Sequence, residues 1–117
     1  MKENVLLEKS FTFAVRTVKA YKFLIEEKKE FVLSKQFLRS GTSIGANAEE
    51  AVGGQSRPDF ISKLSIADKE ARETKYWIRI LQATEYFEKQ QAESLLSDVE
   101  ELLKIIGKIQ VTTKSNS

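Results

Sequence analysis

The chain has 117 residues, of which 41% are hydrophobic and 31% charged, and its formal net charge is +2. This length and apolar content predict one domain with a hydrophobic core of its own. Cysteine and histidine are both absent, which excludes a disulfide framework and thiolate chemistry and removes the commonest general base and metal ligand. No apolar run is long enough to span a bilayer, and Glu8 and Lys9 interrupt the apolar start of the chain. We therefore expect a cytoplasmic protein without an export signal or a membrane span.

Apolar residues recur every three or four positions along most of the chain, which predicts helices rather than strands. The first helix is predicted over about 3–28, with a core stripe of Leu7, Phe11, Ala14, Val18, Tyr21 and Ile25. The run from Glu26 to Glu30 is too charged to bury and predicts the first turn, after which Ser34 is a candidate cap. The second helix is predicted over about 33–52, where most of the stripe is small: Phe37, Gly41, Ile44, Ala48 and Ala51.

The sequence GGQSRP predicts the end of one helix and the start of the next. Gly53 and Gly54 suit a helix C-terminus, whereas Ser56 suits an N-cap and Pro58 the first helical turn. A third helix is predicted from this point over about 57–86, with the most regular apolar stripe in the chain.

The fourth helix is predicted over about 90–110, after a short connection. Four amphipathic helices joined by short connections predict an all-α fold, an antiparallel up-and-down four-helix bundle. We expect this single domain to cover residues 1–111 and the polar tail at 112–117 to be disordered.

Small and polar residues lie where the second helix would ordinarily carry leucine. Glycine inside a helix costs about 1 kcal/mol relative to alanine, so Gly41 and Gly45 predict the close approach of a neighbouring helix. Ser40 and Asn47 flank the same stripe, and Glu70 flanks that of the third helix. Because polar groups at a half-buried edge need partners, these three predict a polar layer in which Asn47 and Glu70 meet across the two helices or across a subunit boundary.

Two segments of unusual composition carry a family resemblance. The pattern R-S-x-T-S-I-x-A-N covers Arg39 to Asn47, and S-I-A-x-K-E-A-x-E-T-x-Y-W covers Ser65 to Trp77. Together they resemble the four-helix-bundle family encoded by intervening sequences within bacterial large-subunit ribosomal RNA genes, over most of the chain. The resemblance implies a ring-like homopentamer without enzymatic activity. A related branch is similar to the accessory protein of diversity-generating retroelements, a basic barrel that partners a reverse transcriptase, whereas this chain has only a weak positive charge.

Catalytic chemistry finds little support in the residue types. The carboxylates Glu49, Glu50, Glu70 and Glu73 leave open a metal-dependent hydrolase as a remote alternative, although a di-metal bundle ordinarily needs Glu-x-x-His pairs. Ser43 has no histidine to activate it. We expect no enzyme, no cofactor, no metal and no small-molecule substrate.

The distribution of basic residues is uneven. Residues 9–39 carry eight Lys or Arg against three acidic residues, whereas residues 85–101 carry six acidic residues against one lysine. Cations of the third helix fall on one outer stripe, to which the first helix adds two where it lies alongside; these candidates for RNA contact are Arg72, Lys75, Arg79, Lys19 and Lys22. The alternative is an ordinary solvated face with pairing between residues four apart.

Large apolar residues lie on two faces of two helices, which favours an oligomer because a soluble monomer rarely exposes a contiguous apolar patch. The second faces are Leu6, Phe13 and Leu24 of the first helix and Ile66, Trp77 and Ile80 of the third. A ring would bring the two patches together. Alternatively, the helices are rotated and some of these residues close the core of the monomer.

Three functional hypotheses follow. The first is a non-enzymatic oligomeric bundle that binds or scaffolds, with RNA or a ribonucleoprotein as its partner. The second is a protein-only adaptor whose basic and acidic faces meet between subunits, without nucleic acid. The third is the metal-dependent hydrolase.

Overall fold

The fold is given by a computed structural model that describes residues 2–115, with side chains described from residue 5 onward. Within that range the chain forms four helices and no strand: α1 (Lys2–Glu26), α2 (Leu33–Val52), α3 (Arg57–Ala83) and α4 (Lys89–Ser115). The helices pack into a rod of 47 × 21 × 19 Å. None of them, over the described residues, is both long and apolar enough to cross a bilayer.

Side-chain pairs between helices define their directions. On α2, Arg39 pairs with Glu73 and Glu50 pairs with Lys63, so advancing along α2 means returning along α3. Arg57 at the start of α3 donates to the carbonyl of Thr113 near the end of α4, 2.6 Å away. The antiparallel up-and-down four-helix bundle is confirmed. Each helix contacts its two neighbours, and α1 and α4 make the fewest contacts with each other.

The orientation of α1 corrects the prediction made for its core stripe. Leu6, Phe13 and Leu24, predicted to lie at an oligomer interface, are at most 1% exposed and belong to the core of the monomer. Phe11 and Val18, predicted to be core, are 67% and 37% exposed, and the rest of that predicted stripe is half-buried. The two stripes are offset by one residue, or about 100°, and both have helical spacing, so periodicity could not choose between them.

Small residues on α2 explain the choice. A Cβ atom added at Gly41 would lie 2.6 Å from the methyl and hydroxyl of Thr17, and one added at Gly45 would lie 3.3 Å from the carbonyl oxygen of Ser10. The predicted close approach of a neighbouring helix is confirmed at both glycines. The hydroxyl of buried Thr17 donates to the Phe13 carbonyl at 2.9 Å, which satisfies the polar group. α1 therefore turns its small polar residues, rather than Phe11, toward α2.

The turn between α1 and α2 is organised by Glu30, which belongs to the run predicted to be too charged to bury. Glu30 is nevertheless only 8% exposed. Its carboxylate accepts hydrogen bonds from the backbone N–H groups of Val32, Leu33 and Ser34 at 3.2, 3.0 and 2.6 Å. Burial alone would raise the pKa of this carboxyl, but the backbone donors outweigh it and leave the pKa below its ordinary value. Ser34, the candidate cap, lies inside α2 and donates to the carbonyl of Glu30 instead.

The start of α3 agrees with the prediction, whereas α4 is longer than predicted. The Ser56 side chain caps α3 by accepting from the backbone N–H of Asp59 at 3.1 Å, with Pro58 in the first turn, so this predicted start is confirmed. α3 ends at Ala83, and α4 runs on to Ser115. The tail predicted to be disordered is therefore helical over 112–115, while residues 116–117 lie outside the described range.

Candidate functional site

Arg39 lies at the centre of a polar network on the outer face of α2 and α3. Its guanidinium donates to Oε1 of Glu70 at 3.1 Å and also to Glu73. The indole N–H of Trp77 donates to Oε2 of Glu73 at 3.1 Å, and Tyr76 contacts the Trp77 ring edge-on, with centroids 5.5 Å apart. The two segments that carry the family resemblance therefore meet in space through Arg39.

The network stabilises the ionised forms of Glu73 and Arg39. The Trp77 N–H is the strongest influence on the pKa of Glu73 and lowers it; burial opposes this shift, and Arg39 adds to the lowering. The hydrogen bond to Glu73 in turn raises the pKa of Arg39. Glu70 is only 8% exposed, so Arg39 neutralises a nearly buried carboxylate. Arg39 is not among the site residues predicted from the sequence; the signal for it is the pair of acids three residues apart on the facing helix, Glu70 and Glu73.

The predicted polar layer is present in part. Ser40 is fully buried and its hydroxyl lies 2.9 Å from that of Thr74, which supplies the cross-helix partner. Asn47 is half-buried and donates to the carbonyl of Ser43 in its own helix at 2.8 Å. Among the described residues Asn47 and Glu70 form no hydrogen bond with each other, which corrects the expected contact within the chain. The contact across a subunit boundary stays a prediction.

Two of the three cations proposed for RNA contact on α3 face acidic residues. Arg72 pairs with Asp68 one turn earlier at 3.0 Å, and Lys75 reaches Glu100 on α4 at 3.1 Å. Arg79 has no ion pair within the described part of the chain. The stripe is therefore largely neutralised, and the Arg72–Asp68 pair is of the kind that the alternative of an ordinary solvated face predicts.

Lys19 and Lys22 do not extend that stripe. Both belong to α1, and α1 has no contact with α3 over the described residues, because the two helices occupy diagonal corners of the bundle. Lys19 instead borders a cleft between α1 and α4. The five predicted RNA-contacting cations thus lie on two separate sides of the molecule.

Basic residues of α1 pair with acidic residues of α4 within one chain, where the two helices are in contact. Arg16 pairs with Asp98 and also donates to the hydroxyl of Ser94 at 3.1 Å. Lys9 lies 3.3 Å from Glu101. The adaptor hypothesis placed such pairs between subunits, but these charges already pair within one chain.

An apolar strip on α1 remains open to solvent. Phe11, Val15 and Val18 are 67%, 39% and 37% exposed, and Phe11 and Ala14 border a shallow groove whose other wall is formed by Thr42 and neighbouring residues of α2. On α3, the predicted interface residues Ile66, Trp77 and Ile80 are half-buried. The described residues therefore include an exposed apolar strip on α1 and a partly covered apolar surface on α3.

The carboxylates named for a metal-dependent hydrolase are not gathered around a common point. Glu70 and Glu73 bind Arg39, Glu50 pairs with Lys63 at 2.8 Å, and Glu49 is exposed. No group of three or more ligating side chains able to hold a metal ion occurs among the described residues.

These features define the class of the protein: an antiparallel four-helix bundle with a motif-built polar network on one face and an open apolar strip on another. The chain belongs to the 23S rRNA-intervening sequence protein family, whose model matches residues 2–108. It is similar to a solved protein of unknown function from the S23 ribosomal protein family of Bacteroides thetaiotaomicron, with 57% identity and a TM-score of 0.93. That match covers 94% of this chain and 98% of the other. No protein of curated function matches the chain.

Proposed function

We propose that this protein is a non-enzymatic, homo-oligomeric helical bundle that binds or scaffolds RNA or a ribonucleoprotein. The observation that carries the oligomer is the exposed strip of α1. Phe11 is two-thirds exposed, and Val15 and Val18 continue the apolar surface along the same helix. Three such side chains on one face form a patch of the kind that a partner subunit covers.

The same geometry supports a heterologous contact. The α1 strip is apolar, whereas the α3 surface around Trp77 combines half-buried Ile66 and Ile80 with a rigid hydrogen-bonded aromatic group. Trp, Tyr and Arg are the residues most enriched at interface hot spots, and Arg39 and Tyr76 lie on this surface. Docking the α1 strip of one copy on the α3 surface of the next gives a ring when the rotation closes. The family resemblance supports five subunits.

Light scattering on the purified protein tests the oligomer. The unmodified chain is expected to exceed the monomer mass at micromolar concentration, and Phe11→Lys is expected to yield a folded monomer. Val111→Lys on α4 is the matched control, because Val111 is 66% exposed and lies outside the proposed interface. A monomer mass for the unmodified protein, or equal dissociation by both variants, would refute the proposal.

RNA as the ligand class is supported by the family, whose description refers to 23S rRNA, and by exposed lysines without acidic partners on α1. The test is fluorescence anisotropy with labelled RNA at low salt, repeated at rising salt, since phosphate contacts weaken steeply as salt increases. Affinity that falls with salt is the expected result. If the oligomer forms but binds no nucleic acid at low salt, the protein is a protein-only adaptor.

A further inference from the structure

We infer that single-stranded nucleic acid binds at the end of the bundle formed by the second half of α1, the α1–α2 turn and the first turn of α2. This inference rests on the proposed RNA-binding function and moves the contact away from the α3 stripe. The surface comprises five lysines, an exposed aromatic tip and a cleft, and is called the α1–α2 corner below.

The α1–α2 corner carries an excess of positive charge. Five lysines lie between residues 19 and 35, and none forms an ion pair within the described part of the chain: Lys19, Lys22, Lys28, Lys29 and Lys35. Glu26 and Glu27 are the exposed acidic residues of this stretch, and the carboxylate of Glu30 is bound by backbone N–H groups. A lysine without an acidic partner can bind a phosphate without first breaking an ion pair. Arg72 and Lys75 on α3 would each have to break one.

An exposed aromatic residue, Phe31, lies between Lys29 and Lys35 in the sequence. Phe31 and Val32 are 54% and 72% exposed, although both follow directly on the buried Glu30. The three backbone hydrogen bonds to the Glu30 carboxylate hold this turn in one conformation, so the Phe31 ring is presented to solvent by an ordered backbone. A solvent-exposed ring flanked by lysines is the combination on which unpaired bases stack while their phosphates are neutralised.

A cleft beside the α1–α2 corner provides a second place for a base. It lies between α1 and α4, has a volume of about 270 Å³, and is lined by Arg16, Lys19, Ala20, Phe23, Phe87 and Leu95, among others. Its floor is apolar and aromatic, and its rim carries the unpaired Lys19. The ammonium of Lys28 lies 5.9 Å from the centre of the Phe23 ring, which links this cleft to the turn. The volume suits one flat ring system rather than a whole cofactor.

These features favour a single strand over a duplex. Both aromatic positions require bases that have left the helical stack, whereas a duplex offers only its phosphates. The five lysines face the exposed Glu26 and Glu27 and, beside the cleft, the exposed Glu88 that follows Phe87. The surface should therefore bind weakly and with strong salt dependence unless several subunits act together.

Anisotropy titrations with labelled single-stranded oligouridine, at several salt concentrations, test the inference. Lys28→Gln/Lys29→Gln is expected to bind about tenfold more weakly and to lower the salt slope by about two. The matched control is Lys104→Gln/Lys108→Gln, which removes two exposed lysines of α4 and should bind as the unmodified protein does. Phe31→Ala is expected to weaken binding by about tenfold, and Phe31→Tyr to retain it, because either aromatic ring can stack.

The outcomes separate the site from the function. If the protein binds RNA but Arg72→Gln/Lys75→Gln weakens binding while Lys28→Gln/Lys29→Gln does not, RNA binding stands and the α1–α2 corner is refuted. If Lys28→Gln/Lys29→Gln and Lys104→Gln/Lys108→Gln weaken RNA binding equally, RNA binds diffusely to the surface lysines and the inference is also refuted. Failure to bind any nucleic acid refutes the proposed RNA function itself. If the protein binds no RNA but sediments with phosphatidylserine vesicles, and Phe31→Ala abolishes that sedimentation, the α1–α2 corner binds a membrane surface instead.

Discussion

Replacing Gly41 by alanine tests how α1 is held on α2. The added Cβ would lie 2.6 Å from two side-chain atoms of Thr17, whereas ordinary carbon contacts begin at roughly 3.5 Å. Thr17 is completely buried and β-branched, so its side chain has little freedom to rotate away. The helices must therefore separate by several tenths of an ångström, which loosens the neighbouring contact at Gly45 as well.

The magnitude follows from two opposing effects. Alanine improves the helix propensity of α2 by about 1 kcal/mol, but overpacking a well-filled core costs about 1–3 kcal/mol. We expect Gly41→Ala to lower the free energy of unfolding by about 1 kcal/mol. Gly107 on α4 is the control, because an added Cβ there meets nothing within 4 Å, so Gly107→Ala should raise the free energy of unfolding by up to about 1 kcal/mol.

Urea unfolding followed by circular dichroism at 222 nm measures both variants. Protein concentration and oligomeric state must be matched, because association stabilises the folded form by mass action. Thr17→Ala in the Gly41→Ala background should cost less stability than Thr17→Ala alone, since the methyl and hydroxyl that clash are then absent. Equal stabilisation by Gly41→Ala and Gly107→Ala would refute this account of helix packing.

Two further predictions concern charged groups. Glu30→Gln should lower the free energy of unfolding by about 1 kcal/mol at neutral pH, because the neutral side chain caps α2 more weakly. The folded-state pKa of Glu30 is depressed. The stabilisation by Glu30 is therefore present above the ordinary carboxyl pKa and disappears as the pH falls through the folded-state pKa. Denaturation of both proteins across that range measures this, and a pH-independent difference would contradict it. Arg39→Gln should cost about 1–3 kcal/mol by leaving Glu70 nearly buried without its cation; Arg39→Gln/Glu70→Gln should recover part of that loss, and no recovery in a double-mutant cycle would argue against the pairing.

The binding surfaces were harder to predict than the helices. Arg72 and Lys75 have helical spacing on an outer face, and this was visible in the sequence, but their acidic partners include Glu100 on another helix. Likewise, Arg16 and Asp98 lie far apart in the chain and meet only because α1 and α4 are adjacent. Whether a surface lysine is available to a ligand depends on such distant partners, which no local pattern contains.

Helical spacing, the start of α3 at Ser56 and the two motif segments are local properties, and the sequence by itself determined four helices, their order and the family. Local periodicity cannot determine the rotation of a helix that has two apolar stripes about 100° apart, as α1 has. Tertiary structure decided that rotation: Gly41 and Gly45 leave room for Thr17 and Ser10, so Phe13 turns inward and Phe11 outward. It also decided that Glu30 is buried, because only the folded turn brings three backbone N–H groups to its carboxylate and so offsets the cost of removing a charge from water.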